Sequence, residues 1–469
     1  MSSDSAPSRR ATLAYTASVC GWRRTAAAYP PISASSWSWS VTAASTAGVG
    51  SAAPAAFRCR WRLIRHPLPA RVRSCIGYIL YHFGSQMKHP SVAVSLWLIV
   101  AASTCASLAN GALTTLLPLY ADDVLHLDAL ASGVLVGVAP LVGLAAQPLV
   151  GRLADRSGYF CTWLGAGVIG VAGILLMLVS GGFGGALASR TLFGILSSAA
   201  GTVMAAWVIG IVPAAQRGRA LARFGVSVWI GLGAGPQLGQ VVIDRTGYAG
   251  LWIVAAALVL ASIVLARPLP EPELPGVAPH AESGQWIAAA RAVLLPGTVA
   301  ALAWSSEGVI LTFGIVHLRD AGLPVGGPTG ATTVLTVFAA SVIAVRFLLG
   351  SVTDRLGPAR TAISSLILLA IALVGLALAQ DFRVAALSAV VLGLAFAPLY
   401  PALTLLADDR LDPRRRATGL GIFGALTGAG VGAGTLYGGA LSAWSGTAAA
   451  FLATAALQLA GIVLTTRRR

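Results

Sequence analysis

From residue 91 onward the chain repeats one pattern: an apolar run of about 20 residues, a short polar break, and another apolar run. A helix needs that many residues to cross a hydrocarbon layer of about 30 Å, and in lipid each segment must satisfy its own backbone polar groups. Runs this long and continuous mean spanning helices rather than barrel strands. With 56% hydrophobic and 10% charged residues and a mean hydropathy of +0.79, the chain reads as an all-α membrane protein.

Spans are expected near 93–119, 130–150, 160–180, 185–210, 219–242 and 248–266, then near 292–317, 329–350, 360–380, 383–406, 417–440 and 446–465. These are twelve transmembrane helices in two pseudo-symmetric six-helix bundles, 87–266 and 292–469. The Pro-rich polar stretch RPLPEPELPGVAPHAESGQW opens the linker between them, 267–291. Basic residues fall in alternate loops: Arg152 and Arg156, then Arg217, Arg219 and Arg223, then Arg355 and Arg360, then Arg410 and Arg414 to Arg416, and last Arg467 to Arg469. By the positive-inside rule those loops and both termini are cytoplasmic, in a multi-pass protein of the inner (plasma) membrane. The opposite loops carry Asp122, Asp123 and Asp128, or little charge. Topology thus accounts for the net charge of +16 without nucleic acid as a partner.

Residues 1–86 differ, with ten Arg, no Lys, one acid (Asp4) and clusters such as SASSWSWS. None of their runs is long enough to span a membrane. The expectation is that the functional protein begins at Met87 and that the upstream segment is disordered or a mis-assigned start; a transit-peptide composition is the other reading. Five cysteines without ligand spacing and six histidines give no support to a metal, redox cofactor or disulfide framework. No nucleophile motif or His/Asp cluster suggests an enzyme, so a membrane enzyme or sensor is a remote alternative.

The charged tetrads tell more. GRLADRSGYF, at 151–160, returns as GSVTDRLGPA at 350–359, an offset of 199 that pairs Gly151 with Gly350, Asp155 with Asp354, Arg156 with Arg355 and Gly158 with Gly357. The same offset pairs Arg217 with Arg416, Gly231 with Gly430, Gly235 with Gly434, Gly239 with Gly438 and Gly247 with Gly446. Two homologous six-helix halves are the layout of a secondary transporter that rocks one bundle against the other around a midplane site.

On these motifs the chain resembles the major facilitator superfamily across residues 87–469. GRLADRSG is similar to that family's loop between the second and third helices, and GSVTDRLG is its counterpart. GLGAGPQLGQ, with Gly231, Gly235, Pro236 and Gly239, resembles the glycine-proline motif of the family's antiporters, and Arg190 with Gly194 in SRTLFG resembles its fourth-helix arginine motif. The first loop departs from the pattern: Tyr159 and Phe160 stand where basic residues are usual, and Phe193 where Gln is usual.

Physical roles can be assigned to the residues themselves. In the DRxG loops Asp155 can accept the free N–H groups at a helix N-terminus, making a conformational gate of Gly151, Asp155, Arg156, Gly158, Gly350, Asp354, Arg355 and Gly357; otherwise these are turn residues and topology determinants. Glu307 is the one acid placed deep within a span, about 15 residues or roughly 22 Å along it. An ionised carboxylate there costs at least ~2.5 kcal/mol. It therefore points to proton coupling or a cationic substrate, unless it is a buried partner of Ser305, Ser306 or Arg190. Asn110 is the neutral match at similar depth in the first half. The resemblance assigns Arg190 to proton transfer; by itself it could snorkel outward. Arg346 aligns with Gln147 and is expected to support the adjacent DRLG loop. Gly231, Gly235 and Gly239, four apart, form a packing seam, and Pro236 permits a bend. Trp207, Trp229, Trp304 and Tyr400 are candidates to line a cavity.

The expected function is proton-driven export of a small amphipathic compound by a monomer in the lipid bilayer, with protons as partners and no cofactor. Proton-coupled uptake of a small metabolite is the alternative.

Overall fold

The computed structural model describes residues 90–213, 216–271, 283–348, 355–411 and 416–466. Their helices are α1 (Val92–Asp123), α2 (Ala129–Ser157), α3 (Tyr159–Leu176), α4 (Phe183–Ile211), α5 (Arg217–Ala266), α6 (Ser283–Asp320), α7 (Ala331–Leu348), α8 (Pro358–Ala377), α9 (Phe382–Asp408), α10 (Arg416–Ser445) and α11 (Thr447–Thr466). Among the described residues eleven helices are long and apolar enough to cross a membrane. The 50 residues of α5 would reach about 75 Å as one rod, far beyond a bilayer. Gly247, at φ 71° and ψ −173°, breaks the rod where the fifth and sixth spans were expected to divide. The chain is therefore an all-helical membrane protein with twelve passes. Its N-terminal 86 residues, expected to be disordered or mis-assigned, lie outside the described residues.

Local chemistry sets the helix ends. Asp128 caps α2 by accepting from Ala131 N–H at 2.8 Å. Asp381 caps α9 by accepting from Arg383 and Val384 at 2.8 and 3.0 Å. Asp128 is thus a cap as well as a loop charge. Two helices outrun their expected bounds. The first continues to Asp123, which carries Asp122 and Asp123 onto its last turn. The seventh span begins at Ser283, within the expected linker, because SGQWIAAARA holds neither proline nor glycine pairs once the Pro-rich stretch has ended.

Packing repeats with the sequence. α1 lies along the first part of α5, and α6 lies along α10; α2 packs on α4, and α7 on α9; α3 packs on α4, and α8 on α9. Residues 90–266 meet residues 287–466 through α2 against α10 and α5 against α7. At the end away from the DRxG loops this meeting is tight. A methyl added at Gly133 would strike the carbonyl of Thr435. Gln237 donates to Thr333 at 2.6 Å, and Thr336 to the Gly233 carbonyl at 2.7 Å.

Candidate functional site

The first DRxG loop is built by a break and a cap. Gly158 ends α2 at φ 91° and ψ 159°, and α3 starts at once with Tyr159. The two leading N–H groups of α3 find a carboxylate: Tyr159 donates to Glu271 Oε2 at 2.9 Å and Phe160 to Oε1 at 2.7 Å. One residue earlier, the Pro270 carbonyl accepts from Trp207 Nε1 at 2.8 Å. The Trp207 ring stacks on Tyr159 with centroids 6.0 Å apart. The start of the linker is thereby fastened to α3 and α4. Burial pushes the Glu271 carboxyl above its ordinary value, and the two N–H bonds pull it partly back.

Asp155, the acid expected to take a helix N-terminus, is exposed and forms no hydrogen bond with a described residue. Glu271 holds that position on α3 instead. Sequence reasoning passed over Glu271 as one polar residue of a Pro-rich linker; its one signal was an acid directly after a span. Arg156 and Arg355 are exposed. Gly151 faces Thr202 on α4 with a methyl's room to spare, 3.9 Å, so close packing does not require glycine there. Gly357, at φ 80°, repeats the turn of Gly158. Gly350 and Asp354 lie outside the described residues.

Within the membrane the first-half residues form a ladder. Thr114 donates to Asn110 Oδ1 at 3.3 Å, and Arg190 Nη2 reaches Thr114 Oγ1 at 3.5 Å. Asn110 is exposed, while Arg190 is 4% exposed and lies over the Phe193 ring at 5.1 Å. Arg190 therefore does not snorkel to a surface; its Nε and Nη1 have no hydrogen-bond partner, beside a cavity lined by Leu113, Leu117, Met177 and Trp252.

Glu307 stands apart from this ladder. It is half-buried on α6 and forms neither hydrogen bond nor ion pair with a described residue. Its suggested structural partners are engaged elsewhere: Ser305 donates to Leu302 and receives from Tyr437, and Ser306 donates to Ala303. One turn before Glu307, Trp304 enters a run of aromatic rings: Trp229, Phe338, Phe396, Trp304 and Tyr400, each 5.4 to 5.7 Å from the next. Tyr400 is 41% exposed, and Trp229 and Trp304 are half-buried. Trp207 is fully buried and lines no cavity. Arg346 lies over Trp229 at 5.7 Å.

Both glycine seams hold a cavity-side helix at backbone distance. Gly231 and Gly235 of α5 press on Ser107, Leu108 and Ala112 of α1, and Gly430 and Gly434 of α10 press on Ala301 and Ser305 of α6. Gly111 and Gly308, the residues after Asn110 and Glu307, each face a carbonyl of the partner helix, from Gly231 and Val431. The seams thus fix the rotation of α1 and α6, and with it the direction in which Asn110 and Glu307 are presented. Pro236 lies within α5 without breaking it.

At the opposite end Arg319 of α6 reaches Asp122 at 2.6 Å and Asp123 at 3.1 Å on α1, and Asp320 at 3.1 Å beside it. Among the described residues no group of three or more His, Cys, Asp or Glu is placed to hold a metal ion.

Comparison with known proteins places this arrangement. The model described as Major Facilitator Superfamily matches residues 1–187, 162–326 and 308–469. An uncharacterized MFS-type transporter of Burkholderia mallei is 29% identical over 359 residues, covering 75% of this chain and 86% of the relative. The uncharacterized MFS-type transporter YhhS of Escherichia coli is 26% identical over 366 residues, with the same coverage. Among solved structures, the nucleoside transporter NupG aligns with a TM-score of 0.66 at 15% identity, over 80% of this chain and 99% of its own. A bacterial homolog of the human lysosomal transporter Spinster, in an inward-facing and unoccupied conformation, has a TM-score of 0.66 at 15% identity, over 81% of this chain and 97% of its own. At such identities the structural likeness concerns the fold.

Proposed function

The chain belongs to the major facilitator superfamily and is a secondary transporter rather than an enzyme; on that footing we propose that it exports a small amphipathic compound in exchange for protons. The observation that carries this reading is Glu307, an unpartnered carboxylate in the middle of a spanning helix, one turn from Trp304 and its aromatic run. A carboxylate in such surroundings persists where it meets a polar cavity and takes up a proton or a cation. The rings offer apolar faces, and to a cation their negative quadrupoles as well. Proton and substrate then compete for one acid: release of the proton prepares Glu307 for the compound, and reprotonation expels it. Arg190, through Thr114 and Asn110, supplies a fixed positive charge in the first half for proton transfer. The DRxG loops lie at the cytoplasmic face and gate it, and the α5 seam with Pro236 provides the bend for antiport. The working unit is a monomer of the cell membrane.

The test uses an efflux-deficient host and a fluorescent aromatic cation. The transporter is expected to lower dye accumulation in a manner abolished by a protonophore, and Glu307→Gln to remove that effect at equal membrane abundance. Export unchanged across a pH series in Glu307→Gln would take the residue out of the mechanism. Dye accumulation raised by the transporter would instead favour the uptake symporter.

A further inference from the structure

Asp122 and Asp123 close α1, so two negative charges sit at the negative end of a helix dipole. The last turn of α1 carries no basic residue. The compensating charge arrives from the other half of the chain: Arg319 Nη2 bonds Asp122 Oδ2 at 2.6 Å, and Nη1 bonds Asp123 Oδ1 at 3.1 Å. Asp123 is also held from its own half, because the Tyr248 hydroxyl donates to its other oxygen at 3.1 Å. Tyr248 is in turn packed edge-on against Tyr120, 5.0 Å away, directly after the break at Gly247. Arg319 has a second option at home, where Asp320 Oδ1 lies 3.1 and 3.2 Å from its Nη2 and Nε. One guanidinium therefore faces two carboxylates across the meeting of the halves and one on its own helix.

We propose that Arg319 is an exchangeable clasp. It shuts this end of the molecule on Asp122 and Asp123, and falls back on Asp320 when the halves part. The charge stays paired in both states, so opening never strands a bare cation. The network is open to water, with Arg319 27% exposed and the carboxylates close to half exposed. Such bonds are individually weak and screened by salt, which suits a contact that must break in every cycle. The inference rests on the alternating access of a secondary transporter, and neither on export nor on proton coupling.

Hydrogen exchange on the full-length protein in liposomes tests it, read at Gly233–Gln240 and Thr332–Thr336, a meeting face that the substitutions do not touch. Arg319→Ala is expected to raise exchange there about five- to tenfold while slowing it at residues 152–160. Asp320→Asn should act in the opposite sense, because it removes the partner of the open state. The exchanged pair Asp122→Arg with Arg319→Asp should return exchange toward that of the unaltered protein. Unchanged exchange at that face in Arg319→Ala, or an effect of the same sign from Asp320→Asn, overturns the clasp. If the opposite signs appear in a protein that moves no aromatic cation, the clasp stands and the exporter reading falls.

Discussion

At Gly158 and at Gly357 the chain makes the same turn, with φ of 91° and 80° and ψ of 159° and 154°. Beyond that turn the two halves diverge. After Gly158 the third span opens with two N–H groups, and Glu271 crosses from the linker to accept both. After Gly357 the ninth span opens with Pro358, which has no N–H to offer, and no side chain caps it. The two halves kept the path of an ancestral loop and solved the exposed helix start differently, one by an acid brought from a distance and one by deleting a donor. A repeat therefore preserves backbone geometry more faithfully than the side chains that satisfy it. The usual basic residues are also absent from the first loop, where Tyr159 instead stacks on Trp207.

The shared path carries the largest expected effect. Both glycines have a positive φ with an extended ψ, a region closed to other residues, so Gly158→Ala and Gly357→Ala should each cost about 1–3 kcal/mol. Gly158→Ala should be the worse, since its methyl would meet the Glu271 carboxyl at 3.4 Å. Thermal unfolding in detergent measures both, and a neutral Gly357→Ala would break the equivalence.

Next in size is the difference in capping. Glu271→Ala orphans two partly buried donors, for about 1–3 kcal/mol, with faster amide exchange at Tyr159 and Phe160. Pro358→Ala adds one N–H near the surface and should stay within about 0.5 kcal/mol. Equal effects would mean that Glu271 is not the cap.

The smallest effect is on pH. Because burial raises the Glu271 carboxyl despite its two N–H bonds, the seated linker is favoured by protonation. Its contribution is complete below the ordinary carboxylate value and is lost as pH rises through the raised one. Exchange at Tyr159 and Phe160, corrected for intrinsic rate, should therefore increase over that window, and Glu271→Gln should flatten the dependence. A trend in the reverse direction would mean that the N–H bonds outweigh burial.

Much of the fold was legible because a bilayer imposes one length and one polarity on every span. The offset of 199 even paired Gly247 with Gly446, and both have positive φ, 71° and 81°. The site was legible in part. Glu307 and Arg190 stand out as charges in apolar helices wherever they point. Glu271 and Arg319 did not, because an acid in a polar linker and an arginine at a helix end are ordinary in sequence. Their partners lie 112 and 197 residues away.

By itself the sequence determined that the chain crosses a membrane as helices, that it does so in two related halves, and where its rare buried charges lie, since these depend on local composition and spacing alone. The tertiary structure decided that Glu271 rather than Asp155 takes the start of α3, that Trp207 is sealed off while Tyr400 is open, and that Arg319 has three carboxylates to choose from. Each of these depends on which distant backbone comes within about 3 Å of a polar atom, and that is settled by how the helices pack.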